Sequence, residues 1–192
     1  MPPPPSTSDV PLCVDLDGTL LTLDTAKRAV LRLAMQKPWL LPALLGWWMT
    51  GGRVHAKRKL AQHALGDPAT FPVHETFLTY LKTEHAAGRT LILITAADAI
   101  VAEAVAAHAG VFSEVIASDG VLNMTARVKA RILPERFGRR GFDYAGNAHT
   151  DIQVWQVARK AIVVNPASGL LARMARIGLR AEKVFPRERR TA

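Results

Sequence analysis

Val14-Asp15-Leu16-Asp17-Gly18-Thr19-Leu20 closes the first apolar run of the chain, residues 10–14, with two aspartates and a glycine turn. Residues i and i+2 of a strand share a face, so Asp15 and Asp17 are expected to emerge pointing the same way. Gly18 permits a sharp turn, and the Thr19 hydroxyl can bond the turn's own backbone. Two carboxylates this close repel each other unless a cation lies between them or one keeps its proton. Both outcomes are useful chemistry: a hard divalent metal held by oxygens, and a nucleophile beside an acid/base. The plainer alternative is an Asp-rich turn after a buried strand.

Downstream, apolar strand patterns alternate with helical ones. Residues 90–94 are a continuous branched apolar run, as in a strand covered on both faces. It closes on Thr95-Ala96-Ala97-Asp98, and apolar residues at helical spacing follow up to Gly110. Further strands are expected at 114–117, at 142–145 (closing on Gly146-Asn147), at 161–164 and, as an edge, at Val184-Phe185. Helices are expected over 127–137, with Lys129 near the start, and over 150–159 and 168–177. This alternation predicts an α/β fold, a doubly wound parallel sheet with helices on both faces, built from residues 10–24 and 88–186.

Residues 25–87, between the first two strands, read as a mostly helical insertion. Residues 38–49 contain Trp39, Trp47 and Trp48, are too short to span a bilayer, and are interrupted by Pro42 and Gly46. Arg53, Lys57, Arg58 and Lys59 follow. Such a segment fits either a membrane interface, where indoles and cationic heads both settle, or a helical subdomain packing its own small core. His55, His63 and His74 read as packing or surface residues without metal-site spacing.

Composition narrows the partners. The chain has 192 residues, 49% apolar and 21% charged, ordinary for one globular domain with an insertion. Its net charge of +9 implies anionic partners: phosphorylated substrates, anionic lipid headgroups or nucleic acid. The arginines are spread over several elements and no nucleic-acid reader motif is visible, which argues against the last. Cys13 is the single cysteine, so no disulfide framework can form, and it reads as a small buried hydrophobe. Residues 1–9 are proline-rich without a signal pattern, so a disordered lead-in and a cytoplasmic location are expected; 187–192 read as a basic tail.

In doubly wound sheets, ligands bind beyond the carboxyl ends of the strands. Asp15 and Asp17, Thr95, and Asn147 with Asp151 all fall at such ends, and Lys129 comes from the helix after the third strand. Each alone has a dull explanation: Thr95 as a helix cap, Lys129 as a solvated lysine, Asp151 as a residue favoured at a helix N-terminus.

Their order resembles the four motifs of the haloacid dehalogenase (HAD) superfamily. Motif I is Asp15-Leu16-Asp17-Gly18-Thr19, motif II Thr95, motif III Lys129, and motif IV Gly146-Asn147-Ala148-His149-Thr150-Asp151. The resemblance implies a Rossmann-like core with strand order 3-2-1-4-5 and a helical cap inserted after the first strand. It implies a magnesium-dependent phosphatase. Asp15 would attack phosphorus and form an aspartyl-phosphate, and Asp17 would serve as the acid/base. Thr95 and neighbouring backbone N–H groups, Ala96 among them, would hold the phosphoryl oxygens, and Lys129 would offset negative charge. Mg2+ would be held by Asp15, the Asp17 carbonyl and motif IV, through Asn147 or Asp151. An aspartate two residues after the nucleophile points to phosphate-monoester hydrolysis within that superfamily. Asn147 departs from the pattern, since an acid usually follows the motif IV glycine.

A narrower resemblance lies in Ala117-Ser118-Asp119-Gly120, Arg136-Phe137-Gly138 and Gly141-Phe142-Asp143-Tyr144-Ala145-Gly146-Asn147. These phrases look like the branch in which a phosphatase domain precedes a UbiA-type intramembrane prenyltransferase. It implies lipid-linked phosphates as substrates beside small phosphorylated metabolites, and peripheral membrane contact through the tryptophan-rich cap; Asn147 and that cap suggest, as the alternative to a phosphatase, a catalytically weak binding or regulatory module associated with a membrane prenyltransferase.

Overall fold

A computed structural model describes residues 10–188; the expectations for residues 1–9 and 189–192 lie outside the described residues. Strands β1 (Leu12–Val14), β2 (Leu91–Asp98), β3 (Glu114–Ser118), β4 (Asp143–Gly146), β5 (Ala161–Val164) and β6 (Ala181–Phe185) form one sheet. Its order is β3-β2-β1-β4-β5-β6, and every neighbouring pair is parallel. The expected order therefore holds and gains β6 as its edge.

Both faces of the sheet are covered, and the period of two decides which residue goes where. Leu12, Val14, Leu91, Leu93, Ile162 and Val164 join one buried cluster with Phe77, Leu81 and Val101. These last come from α3 (Glu75–Ala86) and α4 (Ala99–Ala109). The alternate residues Cys13, Ile92, Ile94, Tyr144 and Val163 face the other cluster. There they meet Leu133 of α5 (Ala126–Phe137), Trp155 of α6 (Ile152–Trp155) and Met174 of α7 (Leu170–Arg176). Each fully buried aliphatic or aromatic side chain contributes on the order of 1.5–3 kcal/mol.

The elements between β1 and β2 are helical. α1 (Thr25–Gln36) starts on the Asp24 side chain, which accepts the Lys27 N–H at 2.9 Å. After a 3-10 turn at Pro38–Leu40 comes α2 (Leu41–Ala64), broken at Gly52 (φ 68°, ψ −165°). The two helices share a small core of Ala29, Leu33, Leu60 and Ala64, with Leu40 and Leu44 against it. Trp47 stacks on His63, whereas Trp39, Leu45, Trp48 and Met49 are exposed. No helix among the described residues is long and apolar enough to cross a membrane.

Three local expectations fail. β2 runs on through Thr95 to Asp98, and Asp98, not Thr95, caps α4 by accepting the Ile100 N–H. The helix expected over 150–159 is only a 3-10 turn, His149–Asp151, followed by the four residues of α6. Arg159 is drawn back to the sheet instead: its N–H bonds the Phe142 carbonyl, and its guanidinium makes two 2.8 Å bonds to Asp143. Finally, β1 stops at Val14, so Asp15 and Asp17 do not share a strand face.

At the amino ends of the strands, remote from Asp15, Asp143 is buried between Arg89 and Arg159. Arg89 also bonds the Val10 carbonyl and Glu84, tying the starts of three strands into one charge network. A buried carboxylate is tolerable only when paired in this way.

Candidate active site

The site grows from the carboxyl end of β1. The Asp15 N–H continues the ladder onto the Ala145 carbonyl. One step beyond Cys13 and Val14, the alternation carries the Asp15 side chain to the sheet face covered by α5. Lys129, on the first turn of α5, is 3% exposed and places its Nζ 2.6 Å from Asp15 Oδ1. The solvated-lysine alternative is thereby removed. Nζ also donates to the Tyr144 hydroxyl at 3.1 Å, and that hydroxyl donates to Asp151 Oδ1 at 2.9 Å. Burial first, then the charges of Asp151 and Asp15, push the Tyr144 phenol well above its ordinary range, so it stays protonated and keeps donating.

Asp17 is held from the opposite side. Its Oδ1 accepts the Thr25 N–H at 3.0 Å and its Oδ2 the Thr25 hydroxyl at 3.1 Å, at the first residue of α1. Burial raises the Asp17 carboxyl to about 6; the Thr25 N–H works against the rise and the Asp15 charge adds to it. Near neutral pH such a group is present in both protonation forms, which is what a residue that gives and then takes a proton requires.

Thr95 lies in β2 two residues beyond Leu93, the register partner of Val14. It is buried, and its Oγ1 accepts the Ala97 N–H at 3.0 Å, leaving the hydroxyl hydrogen free. The β2–β3 register shifts between Ile94 and Asp98, so this segment departs from the regular ladder. The Ala96 carbonyl accepts from Ser118 Oγ at 3.0 Å and from Lys57 Nζ at 2.8 Å.

The β4 end divides its two polar residues between two tasks. Asp151 turns inward: its Oδ2 accepts the N–H groups of Asn147 and Ala148 (3.0 and 2.9 Å), and its Oδ1 is taken by Tyr144. Gly146 has to be glycine, because a Cβ there would lie 2.7 Å from Asp151 Cγ. The Asn147 amide instead reaches the motif I turn. A Cβ on Gly18, which has φ +77°, would lie 2.3 Å from Asn147 Nδ2. Asn165, just past β5, donates its amide to the Gly18 carbonyl at 3.1 Å. Tyr144, Thr25 and Asn165 were not singled out from sequence. Only Asn165, a polar residue directly after the apolar run 161–164, carried a signal of the kind used for the other strand ends.

The donor set suits a hard divalent cation. Asp15 offers a carboxylate, Asp17 a main-chain carbonyl and Asn147 an amide oxygen, all oxygens of the type Mg2+ selects. Burial first, and the Asp15 charge after it, raise both Asp151 and Asp17. Among the described residues no group of three or more His, Cys, Asp or Glu is placed to hold a metal, so a cation here would rely on the amide and carbonyl oxygens.

A cleft of about 290 Å³ opens beside Asp17, lined also by Asp24, Thr25, Arg53, Lys57 and Asp98. Larger hollows along the β3 edge and beneath α7 lie away from the strand ends that carry these groups.

No family model matches the chain. The uncharacterized protein y4nM of Sinorhizobium fredii is 30% identical over 177 residues, which are 92% of this chain and 34% of y4nM. The chain thus spans about a third of that relative's length. Among solved structures, a Bordetella pertussis protein of unknown function matches with a TM-score of 0.67 and 19% identity, over 93% of this chain and 99% of that one. A HAD-family hydrolase of Salmonella enterica serovar Typhi matches at 0.65 and 14%, over 93% and 68%. Phosphoserine phosphatase with bound substrate matches at 0.63 and 12%, over 95% of each chain, and its phospho-aspartyl intermediate analogue at 0.57 and 14%, again over 95% of each. At these identities the likeness establishes the fold: a Rossmann-like sheet of the type found in HAD hydrolases.

Proposed function

We propose that the chain is a phosphate-monoester hydrolase working through an aspartyl-phosphate on Asp15. The observation that carries this is the buried contact between Lys129 and Asp15 at the end of β1, with Asp17 on the other side of the same turn. A lysine brought 114 residues along the chain to a strand-end carboxylate serves poorly as a surface group and well as the counter-charge to an incoming phosphate.

An Asp15 oxygen forms the new bond to phosphorus as the bond to the leaving oxygen breaks, and Asp17 gives that oxygen its proton. Water then attacks the phosphorus of the aspartyl-phosphate and passes a proton to Asp17, which frees phosphate and restores Asp15. Thr95, its hydroxyl hydrogen unspent, and the N–H of Ala96 lie at the neighbouring strand end to hold phosphoryl oxygens. Lys129 orients the Asp15 carboxylate and offsets negative charge beside it. Asp15, the Asp17 carbonyl and Asn147 would hold Mg2+, which supplies charge neutralisation at the phosphoryl group. Asp151, whose Oδ2 accepts two N–H groups of its own loop and whose Oδ1 accepts the Tyr144 hydroxyl, holds the Asn147 turn in shape rather than acting as a ligand.

Of the insertion expected over residues 25–87, α1 and α2 with their own small core act as the cap over this site, whereas α3 packs Phe77 and Leu81 against the sheet and so belongs with residues 10–24 and 88–186 to the core. The cap's exposed Trp39, Leu45, Trp48 and Met49 lie on a segment, residues 25–64, with eight lysines and arginines and no acid. Such a face suits an anionic bilayer surface, and it extends the substrate range from small phosphorylated metabolites to lipid-linked phosphates. A relative three times as long, and the resemblance to domains preceding UbiA-type prenyltransferases, are consistent with that setting. Sedimentation with vesicles containing anionic lipid, lost in Trp48→Ser, is the expected result; no sedimentation of the intact protein removes the membrane element.

Asn147 favours a second reading, a catalytically weak module, because one negative charge is missing from the metal donors. Hydrolysis of an aryl phosphate, with and without Mg2+, separates the two. Metal-dependent turnover that Asp15→Asn abolishes supports the enzyme. Turnover that survives Asp15→Asn removes Asp15 as nucleophile, and no turnover of any phosphate ester tried favours the module.

A further inference from the structure

The cleft beside Asp17 has a cationic wall that the hydrolytic step does not use. Arg53 and Lys57 both line it. They follow the break at Gly52 and are four residues apart, so they stack on one face of the second half of α2. Their neighbour Arg58 is paired with Asp98 at 3.1 Å. Lys57, by contrast, gives its Nζ to a neutral carbonyl, that of Ala96, at 2.8 Å. Arg53 makes no ion pair or side-chain hydrogen bond among the described residues. Burial lowers the Lys57 pKa, so holding an ammonium there has a cost that the Ala96 carbonyl does not fully offset. The carboxylates across the cleft, Asp17 and Asp24, are engaged by Thr25 and by the start of α1. Asp98 Oδ2 is buried and unpartnered, while Oδ1 holds Arg58 and the Ile100 N–H. Two cations one helical turn apart, Arg53 without a side-chain partner among the described residues and Lys57 on a carbonyl, form a wall suited to an anionic group.

Position says which anion. The cleft opens beside Asp17, and in the phosphatase reading Asp17 protonates the leaving oxygen, so the leaving group must lie in the cleft. A volume near 290 Å³ is at the small end for ligand pockets and suits a compact group. We propose that Arg53 and Lys57 bind a second anionic group on the leaving-group side of the scissile phosphate, so that preferred substrates are phosphate esters whose alcohol carries a carboxylate or another phosphate. This rests on the phosphatase reading for the placement of the leaving group.

The test uses phenyl phosphate, its para-carboxylate and its para-phosphate, with wild type, Arg53→Gln, Lys57→Gln and Lys57→Arg. The readout is the ratio of kcat/KM for each doubly anionic ester to that for phenyl phosphate; comparing ratios across variants cancels the electronic effect of the substituent. One charge-assisted contact, at about 1.4 kcal/mol per tenfold, gives a wild-type preference of roughly tenfold or more. That preference falls toward the intrinsic ratio in both Gln variants, through KM, and survives largely in Lys57→Arg. The arm with the larger preference identifies carboxylate or phosphate as the second group. A preference unchanged in both Gln variants, or absent in wild type, overturns the proposal. Thermal stabilisation by the same three compounds separates this from failure of the catalytic reading. If no ester is hydrolysed, stronger stabilisation by the doubly anionic pair, lost in the Gln variants, still supports the subsite, and equal stabilisation by all three refutes it.

Discussion

Replacing Lys129 by Met removes the cation buried against Asp15 while keeping the length of the side chain. At 2.6 Å and an effective dielectric of roughly 20, the Coulomb attraction is about 6 kcal/mol. Desolvation of a lysine only 3% exposed and of a largely buried carboxylate cancels much of this as a net contribution. The cost of breaking the pair from one side is therefore better taken as about 3–5 kcal/mol, because Asp15 is left buried without a counter-charge and Tyr144 loses a donor. For a domain of this size that is a fall in Tm of roughly 10 °C. Urea denaturation of Lys129→Met, Asp15→Asn and the double variant, without metal, measures it as a cycle. The double variant should recover most of the loss, since neither charge is then stranded. Activity should fall by roughly a hundredfold or more in Lys129→Met. A loss below about 1 kcal/mol in Lys129→Met, or single-variant losses that simply add in the double variant, would refute the buried pair as the energetic centre of the site.

Gly18→Ala places a Cβ 2.3 Å from the Asn147 amide at φ +77°; the backbone alone costs roughly 1–2 kcal/mol, and metal-dependent turnover should drop more than stability, as denaturation and steady-state rates would reveal. Asn147→Asp restores an acid among the metal donors, so half-activation should need less Mg2+ while the metal-free protein loses stability to added repulsion; an unchanged Mg2+ requirement would remove Asn147 as a ligand. Asp143→Ala strands Arg89 and Arg159 and should cost about 3–5 kcal/mol in urea denaturation, with no specific effect on KM because the network lies at the opposite end of the strands. Both tyrosines are raised, Tyr80 to about 12, mainly by burial and then by Glu84, and Tyr144 well above the ordinary phenol range, mainly by burial and then by Asp151. The folded state thus holds protons that the unfolded state has released, so this contribution to stability is complete below the ordinary phenol pKa of about 10 and is lost as pH rises toward 12. Tyrosinate absorbance in the near ultraviolet should therefore appear later in the native protein than in urea.

Much of the fold was legible because it rests on local periodicity. The apolar runs at 10–14, 90–94 and 161–164 and the helical spacings between them give strand and helix, and β–α alternation gives a parallel sheet; its strand order was implied only by the resemblance of the strand-end motifs to the HAD superfamily. The strand-end residues Asp15, Thr95 and Asn147 were visible for the same reason, as polar groups where an apolar strand runs out. What periodicity does not encode is which distant group meets which. Lys129 read most simply as a solvated lysine until the packing of α5 against the sheet buried it on Asp15, 114 residues away. Asn147 and Asp151 were equal candidates as ligands; the tight turn after Gly146 folds Asp151 back onto two backbone N–H groups and leaves Asn147 facing Gly18. The expected shared face for Asp15 and Asp17 failed because β1 ends at Val14, before either of them, and the start of α1, through Thr25, positions Asp17 instead. The cleft with Arg53 and Lys57 has no sequence signature at all, since it exists only where α2 lies over the end of β2. In Asp15-Leu16-Asp17-Gly18-Thr19 the residue types that can do chemistry are local information, whereas their charges, partners and directions are set by contacts between elements far apart in the chain.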